Sequence, residues 1–142
     1  MTRMTREQAV AKLASGVTAD LAACTTLLEL LEHQFDAALR HRTAQLGELS
    51  KLLMPALDAM EQRRVQRVSL VRALLGPDGD MKALIAGLAA PVKEALAAEW
   101  ETLEQMVTEC KRLNARNSAL MTEQYSIMQR VLHGEEQIYA PR

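Results

Sequence analysis

From Val17 onward, apolar residues fall at Val17, Leu21, Cys24, Leu28, Leu31, Phe35 and Ala38, in alternating steps of four and three. That spacing keeps them on one side of an α-helix and defines a coiled-coil seam. Leu27, Leu30 and Leu39 flank the seam and widen it beyond a two-stranded contact, so this helix is expected to touch two neighbours. A second register runs Leu46, Leu49, Leu53, Ala56, Met60, Arg63, Arg67, Leu70 and Leu74, and turns basic in its middle. As a single rod, the helical pattern from Arg6 to Leu75 is about 100 Å long at 1.5 Å per residue, and a hairpin is the more economical arrangement. The turn is placed at His41 to Thr43, with Thr43 as N-cap of the second helix. Pro55 either kinks that helix or marks a later start for it.

Gly76-Pro77-Asp78-Gly79-Asp80 stops the second helix, and Asp80 is placed to cap a short apolar one. Beyond Pro91 the four-three spacing resumes at Leu96, Trp100, Leu103, Val107 and Cys110 and runs on to Val131; Gly134 is expected to end it. The predicted fold is therefore all-α: an antiparallel bundle or coiled coil of three long helices, with a short extra helix before the last one. Residues 1–134 form one helical domain, with helices at about 5–41, 43–75, 80–90 and 91–133. Residues 135–142 hold too little apolar surface to fold alone and are expected to be a flexible tail.

Composition supports this reading, because a chain that is 49% hydrophobic but only 3% aromatic builds its core from Leu, Ala, Met and Val. Seventeen basic residues against eighteen acidic ones leave no field that selects nucleic acid or an anionic membrane. Met1 to Val10 lacks an apolar targeting segment, and the run from Ala83 to Val92 is too short for membrane insertion. Cys24 and Cys110 have no metal-ligand spacing and fall on apolar seams, which suits core packing in a reduced, cytoplasmic protein.

Chemistry is hard to place. His33, His41 and His133 lack the second ligand set of a helical di-metal centre, so no metal and no other cofactor is expected. Neither a phosphate loop nor a nucleophile elbow occurs, and the chain is read as a non-enzyme. Glu61, Arg63, Arg64, Arg67 and Arg72 crowd the second helix, and a solvated face is favoured there over recognition of an acidic partner.

The distal half of the last helix is more informative. Asn114, Asn117 and Gln124 interrupt the seam, either to fix register inside the bundle or to meet a partner. Leu120 with Met121, Ile127 with Met128 and Val131 with Leu132 then form three adjacent apolar pairs, more than one bundle contact uses. The last helix is also longer than the first two and is expected to overhang them, leaving a methionine-bearing face free to bind a helix or to pack.

The leucine-rich first helix ending in His33-Gln34-Phe35, the Leu49-x-Lys51-Leu52-Leu53 segment and the Glu61-Gln62-Arg63-Arg64 cluster come in a characteristic order. With Leu113-Asn114-x-x-Asn117-x-x-Leu120 and Tyr139 following them, the chain resembles the FlgN family of bacterial flagellar export chaperones from about Leu13 to Tyr139. The resemblance implies a cytoplasmic chaperone that holds the hook-filament junction proteins FlgK and FlgL, prevents their premature assembly and delivers them to the type III export gate. It assigns client binding to the C-terminal helix, here Asn117, Leu120, Met121, Gln124, Ile127, Met128 and Val131, and export-gate docking to Tyr139. The family's usual glycine after the tail tyrosine is replaced by Ala140. The alternative is a structural homo-oligomeric coiled-coil or adaptor protein without an export role.

Overall fold

The computed structural model describes residues 4–139, and the side chains of residues 4–134. Four helices follow one another: α1 (Arg6–Leu39), α2 (Thr43–Leu75), α3 (Met81–Ala86) and α4 (Val92–Tyr139). The fold is the expected all-α bundle of three long helices with a short one before the last. Thr5 opens α1 with a complete capping box, its hydroxyl accepting from the Gln8 amide while the Gln8 side chain accepts from the Thr5 amide.

α1 ends in a tight reversal. The Arg42 amide donates to the Ala37 carbonyl and the His41 amide to the Ala38 carbonyl, the bond pattern of a Schellman motif. His41 occupies the left-handed position with φ 54°. Because that reversal uses only three residues, Thr43 is already helical; the residue before α2 is Arg42, which makes no side-chain cap. The N-cap expected at Thr43 is therefore displaced by one residue. α2 continues through Pro55, which lies on the exposed side, so solvent can serve the Lys51 carbonyl that the proline leaves without a donor.

Gly76, at φ 96°, closes α2, and Asp80 accepts from the Ala83 amide to start α3. This helix ends at Ala86, short of the expected 90, because Gly87 and Leu88 bond three residues back and Pro91 keeps the residue before it out of helical geometry. Although only six residues long, α3 buries Met81, Leu84 and Ile85 in the same cluster as Leu13 and Val17 of α1, closing one end of the core. Each of these burials is worth about 2 kcal/mol.

α1 is the central element. It packs against both α2 and α4, while the α2 and α4 backbones stay apart and meet only through side chains such as Leu53 and Leu113. α1 is long and apolar enough, by composition, to cross a membrane. Its apolar face is instead the core of the bundle, and that face carries a buried, ion-paired aspartate. Buried positions Ala9, Leu13, Val17, Asp20, Cys24, Leu27, Leu31 and Ala38 show that the centre of the seam passes through Asp20 and Leu27. Leu21 and Leu28, read as its centre from sequence, lie half-buried at its edge.

α4 differs most from expectation. It does not stop at Gly134 but remains helical to Tyr139, so the backbone of 135–139 belongs to the helix and not to a separate tail. Gly134 does not take a positive φ, and glycine inside a helix costs only about 1 kcal/mol relative to alanine.

Candidate protein-binding surface

Three fixed points set the height of α4 against its neighbours. The Asn117 side-chain amide donates to the Leu31 carbonyl at 2.8 Å and to Gln34 Oε1 at 2.8 Å, and the Gln124 amide donates to the Ala38 carbonyl at 2.9 Å. α1 and α4 therefore run parallel, offset by 86 residues at Leu31 and again at Ala38. Carried to Leu39, the last residue of α1, that offset reaches Tyr125. α2 runs the other way: Arg67 lies over the Trp100 ring at 5.3 Å, and Leu53 shares a buried cluster with Leu113. On that antiparallel register, Thr43 at the start of α2 also falls level with the region of Gln124. Both partners of α4 thus run out at one height.

Beyond it, among the described residues, α4 continues past the ends of α1 and α2 from Tyr125 to Tyr139, about 22 Å of helix. Tyr125, Ile127, Met128, Val131 and Leu132 are between 45% and 63% exposed, on a helix whose earlier seam positions Leu96, Leu103 and Leu113 are buried. Leu120, Met121 and Gln124, at the mouth of the overhang, are half-buried.

The residues singled out from sequence thus divide into two groups. Leu120, Met121, Ile127, Met128 and Val131 share one exposed or half-exposed face, joined by Tyr125 and Leu132. Asn117 is not on that face: it is fully buried, and its carbonyl oxygen also accepts from Arg116 Nε at 3.1 Å. Gln124 likewise serves the bundle, giving the Ala38 carbonyl in the last turn of α1 a second donor beside the His41 amide. Of the two roles left open for these polar seam residues, the structure realises register fixing. Asn114, the third of them, is exposed. The Tyr139 side chain lies outside the described residues.

The basic cluster on α2 is also divided. Arg64 pairs with Glu61 on the surface, and its hydrogen bonds hold the Glu61 carboxyl below its ordinary pKa. Arg63 and Arg67 turn inward onto Asp20 of α1, which is 2% exposed; Arg63 Nε donates to it at 2.5 Å and Arg67 donates to its other oxygen. Of the four arginines, only Arg64 and Arg72 lie on the solvated face expected there. The signal was present in the sequence, since Asp20 follows Val17 by three residues and precedes Cys24 by four, on an otherwise apolar stripe. The cavity beside this triad, lined by Lys12, Gly16, Arg63 and Gln66, has a volume of about 20 Å³, room for little more than a water.

Cys24 and Cys110 face one another across α1 and α4. Burial pushes the Cys24 thiol up to about 11 and raises Cys110 as well, which keeps both protonated and poorly nucleophilic. Among the described residues, no group of three or more His, Cys, Asp or Glu has the arrangement to hold a metal.

Comparison with known proteins adds one finding. The family model described as FlgN protein matches residues 1–134. No curated protein and no solved structure matches the chain.

Proposed function

Because this chain belongs to the FlgN family, whose members are flagellar export chaperones, we propose that it holds FlgK and FlgL in the cytoplasm through the α4 overhang and hands them to the type III export gate. The observation that carries the reading is the apolar face from Leu120 to Leu132, which continues a bundle seam past the point where α1 and α2 end. Helical structure of the client, laid along this face, covers the seam as neighbouring helices do lower down. About half of each exposed side chain remains to be covered, worth on the order of 1 kcal/mol apiece. After the entropy of association is subtracted, such a surface holds its client reversibly, as delivery requires. In this scheme Asn117 and Gln124 act indirectly, by fastening α4 to α1 so that the free segment projects from a fixed base. Tyr139 is assigned to docking at the export gate.

The test is co-expression with FlgK or FlgL followed by size-exclusion chromatography. Ile127→Asp with Met128→Asp is expected to abolish co-elution while helical content and unfolding midpoint stay at wild-type values. Retained co-elution would move the client site elsewhere. Tyr139→Ala is expected to spare co-elution and weaken recruitment to the export gate. A dimer that resists dilution and ignores added client would favour the structural coiled-coil alternative.

A further inference from the structure

A coiled-coil helix that meets one partner needs two of its seven heptad positions apolar; a helix wedged between two partners needs more. Along α4, steps of seven residues trace lines whose roles in the bundle are fixed by contacts. Cys110, Asn117 and Gln124 form the line that faces α1, through Cys24, Leu31 and Ala38 respectively. Val131 is its next member. Trp100, Val107, Asn114 and Met121 form the line whose first residue lies under Arg67 of α2, and Met128 continues it. Leu113, which packs with Leu27, Leu31 and Leu53, leads through Leu120 to Ile127.

The fourth line changes character where the bundle ends. Within the bundle it is Lys111 and Ser118, polar and exposed; in the overhang it becomes Tyr125 and Leu132. The apolar face therefore does not narrow once α4 has lost its neighbours. It keeps all three of these lines and gains a fourth, spreading over roughly 160° of the circumference at about 100° per residue.

Resting on the client-binding reading above, we infer that the overhang takes a pair of helices from its client and not a single one. One helix continues the path of α1 against Ile127 and Val131. The other packs against Met128 and Leu132, with the Tyr125 ring at its outer edge. The polar remainder, Glu123, Ser126, Gln129 and Arg130, faces solvent in the complex as it does in the free chain.

The experiment uses full-length chain and full-length FlgK, with the photoreactive residue p-benzoylphenylalanine placed at Ile127 or at Leu132, on opposite edges of the face. Each substituted chain is first checked for co-elution with FlgK, then irradiated, and the cross-linked peptides are identified by mass spectrometry. The expected result is that the two positions capture two different helical segments of FlgK. A synthetic peptide of either segment alone is expected to bind at least about tenfold more weakly than FlgK itself. The inference is overturned if both positions capture the same segment and that peptide matches the affinity of FlgK, or if the captured segment comes from a second copy of this chain. Cross-linking at neither edge while co-elution persists would also overturn the underlying reading, since the client would then bind elsewhere.

Discussion

The side-chain amide of Asn117 in α4 donates to the backbone carbonyl of Leu31 in α1 at 2.8 Å, at a point where both residues are almost fully buried. A buried amide is tolerated only where its hydrogen bonds are met, and here one height of α4 against α1 meets them. Seven residues further on, Gln124 repeats the contact with Ala38. The pair sets where the free part of α4 begins.

Asn117→Ala removes the bonds to Leu31 and Gln34 and leaves a small void, for an expected loss of about 1 to 3 kcal/mol. Urea unfolding measures it. At temperatures where the variant is still folded, co-elution with FlgK is expected to be unchanged, because Asn117 is buried against α1 and fastens the base of the overhang.

Asp20 is the shared counter-ion of Arg63 and Arg67. Asp20→Ala leaves two inward-turned guanidiniums on an apolar seam and is expected to cost on the order of 3 to 5 kcal/mol. Replacing all three residues by Leu or Met is expected to recover most of that loss, since the triad's desolvation penalty goes with it. Comparing the two unfolding midpoints separates a missing partner from a missing interaction. If Asp20→Ala unfolds at the wild-type midpoint, the triad contributes nothing to the fold.

The Cys24 thiol, raised to about 11 from an ordinary value near 9, stays neutral in the folded chain after it has ionised in the unfolded one. Its contribution is therefore fully present below pH 9 and is lost as pH rises from 9 to 11, by roughly 2 to 3 kcal/mol at most. The loss should be smaller in Cys24→Ala, so the difference between the two urea midpoints is expected to close across that window. At pH 8 native Cys24 is expected to react with a thiol reagent only as fast as the chain opens.

Gly134 lies inside α4, and a Cβ added there meets no neighbouring atom within 4 Å. Gly134→Ala is expected to stabilise the distal helix by about 1 kcal/mol, seen as slower amide exchange around Val131 and Leu132. Gly134→Pro should have the opposite effect, by removing the bond to Arg130 and crowding its carbonyl. Equal exchange in all three proteins would place the end of the helix before Gly134.

Much of this architecture is written in the order of residues, because helical periodicity and stop signals are local. The apolar spacing specifies three long helices, Gly76-Pro77 ends the second of them, and the greater length of the last one implies an overhang. Local pattern also marks Leu120 to Val131 as too apolar for one contact. What it does not carry is the height of one helix against another. Only packing decides that Asp20 lies opposite Arg63 and Arg67, so that a basic stretch becomes an internal ion cluster. The same holds for Asn117 and Gln124: they sit on the same stripe as Met121 and Met128, yet are used against α1 because Leu31 and Ala38 stand at their level. A helix determines which of its side chains share a face; whether that face is covered depends on where its neighbours stop.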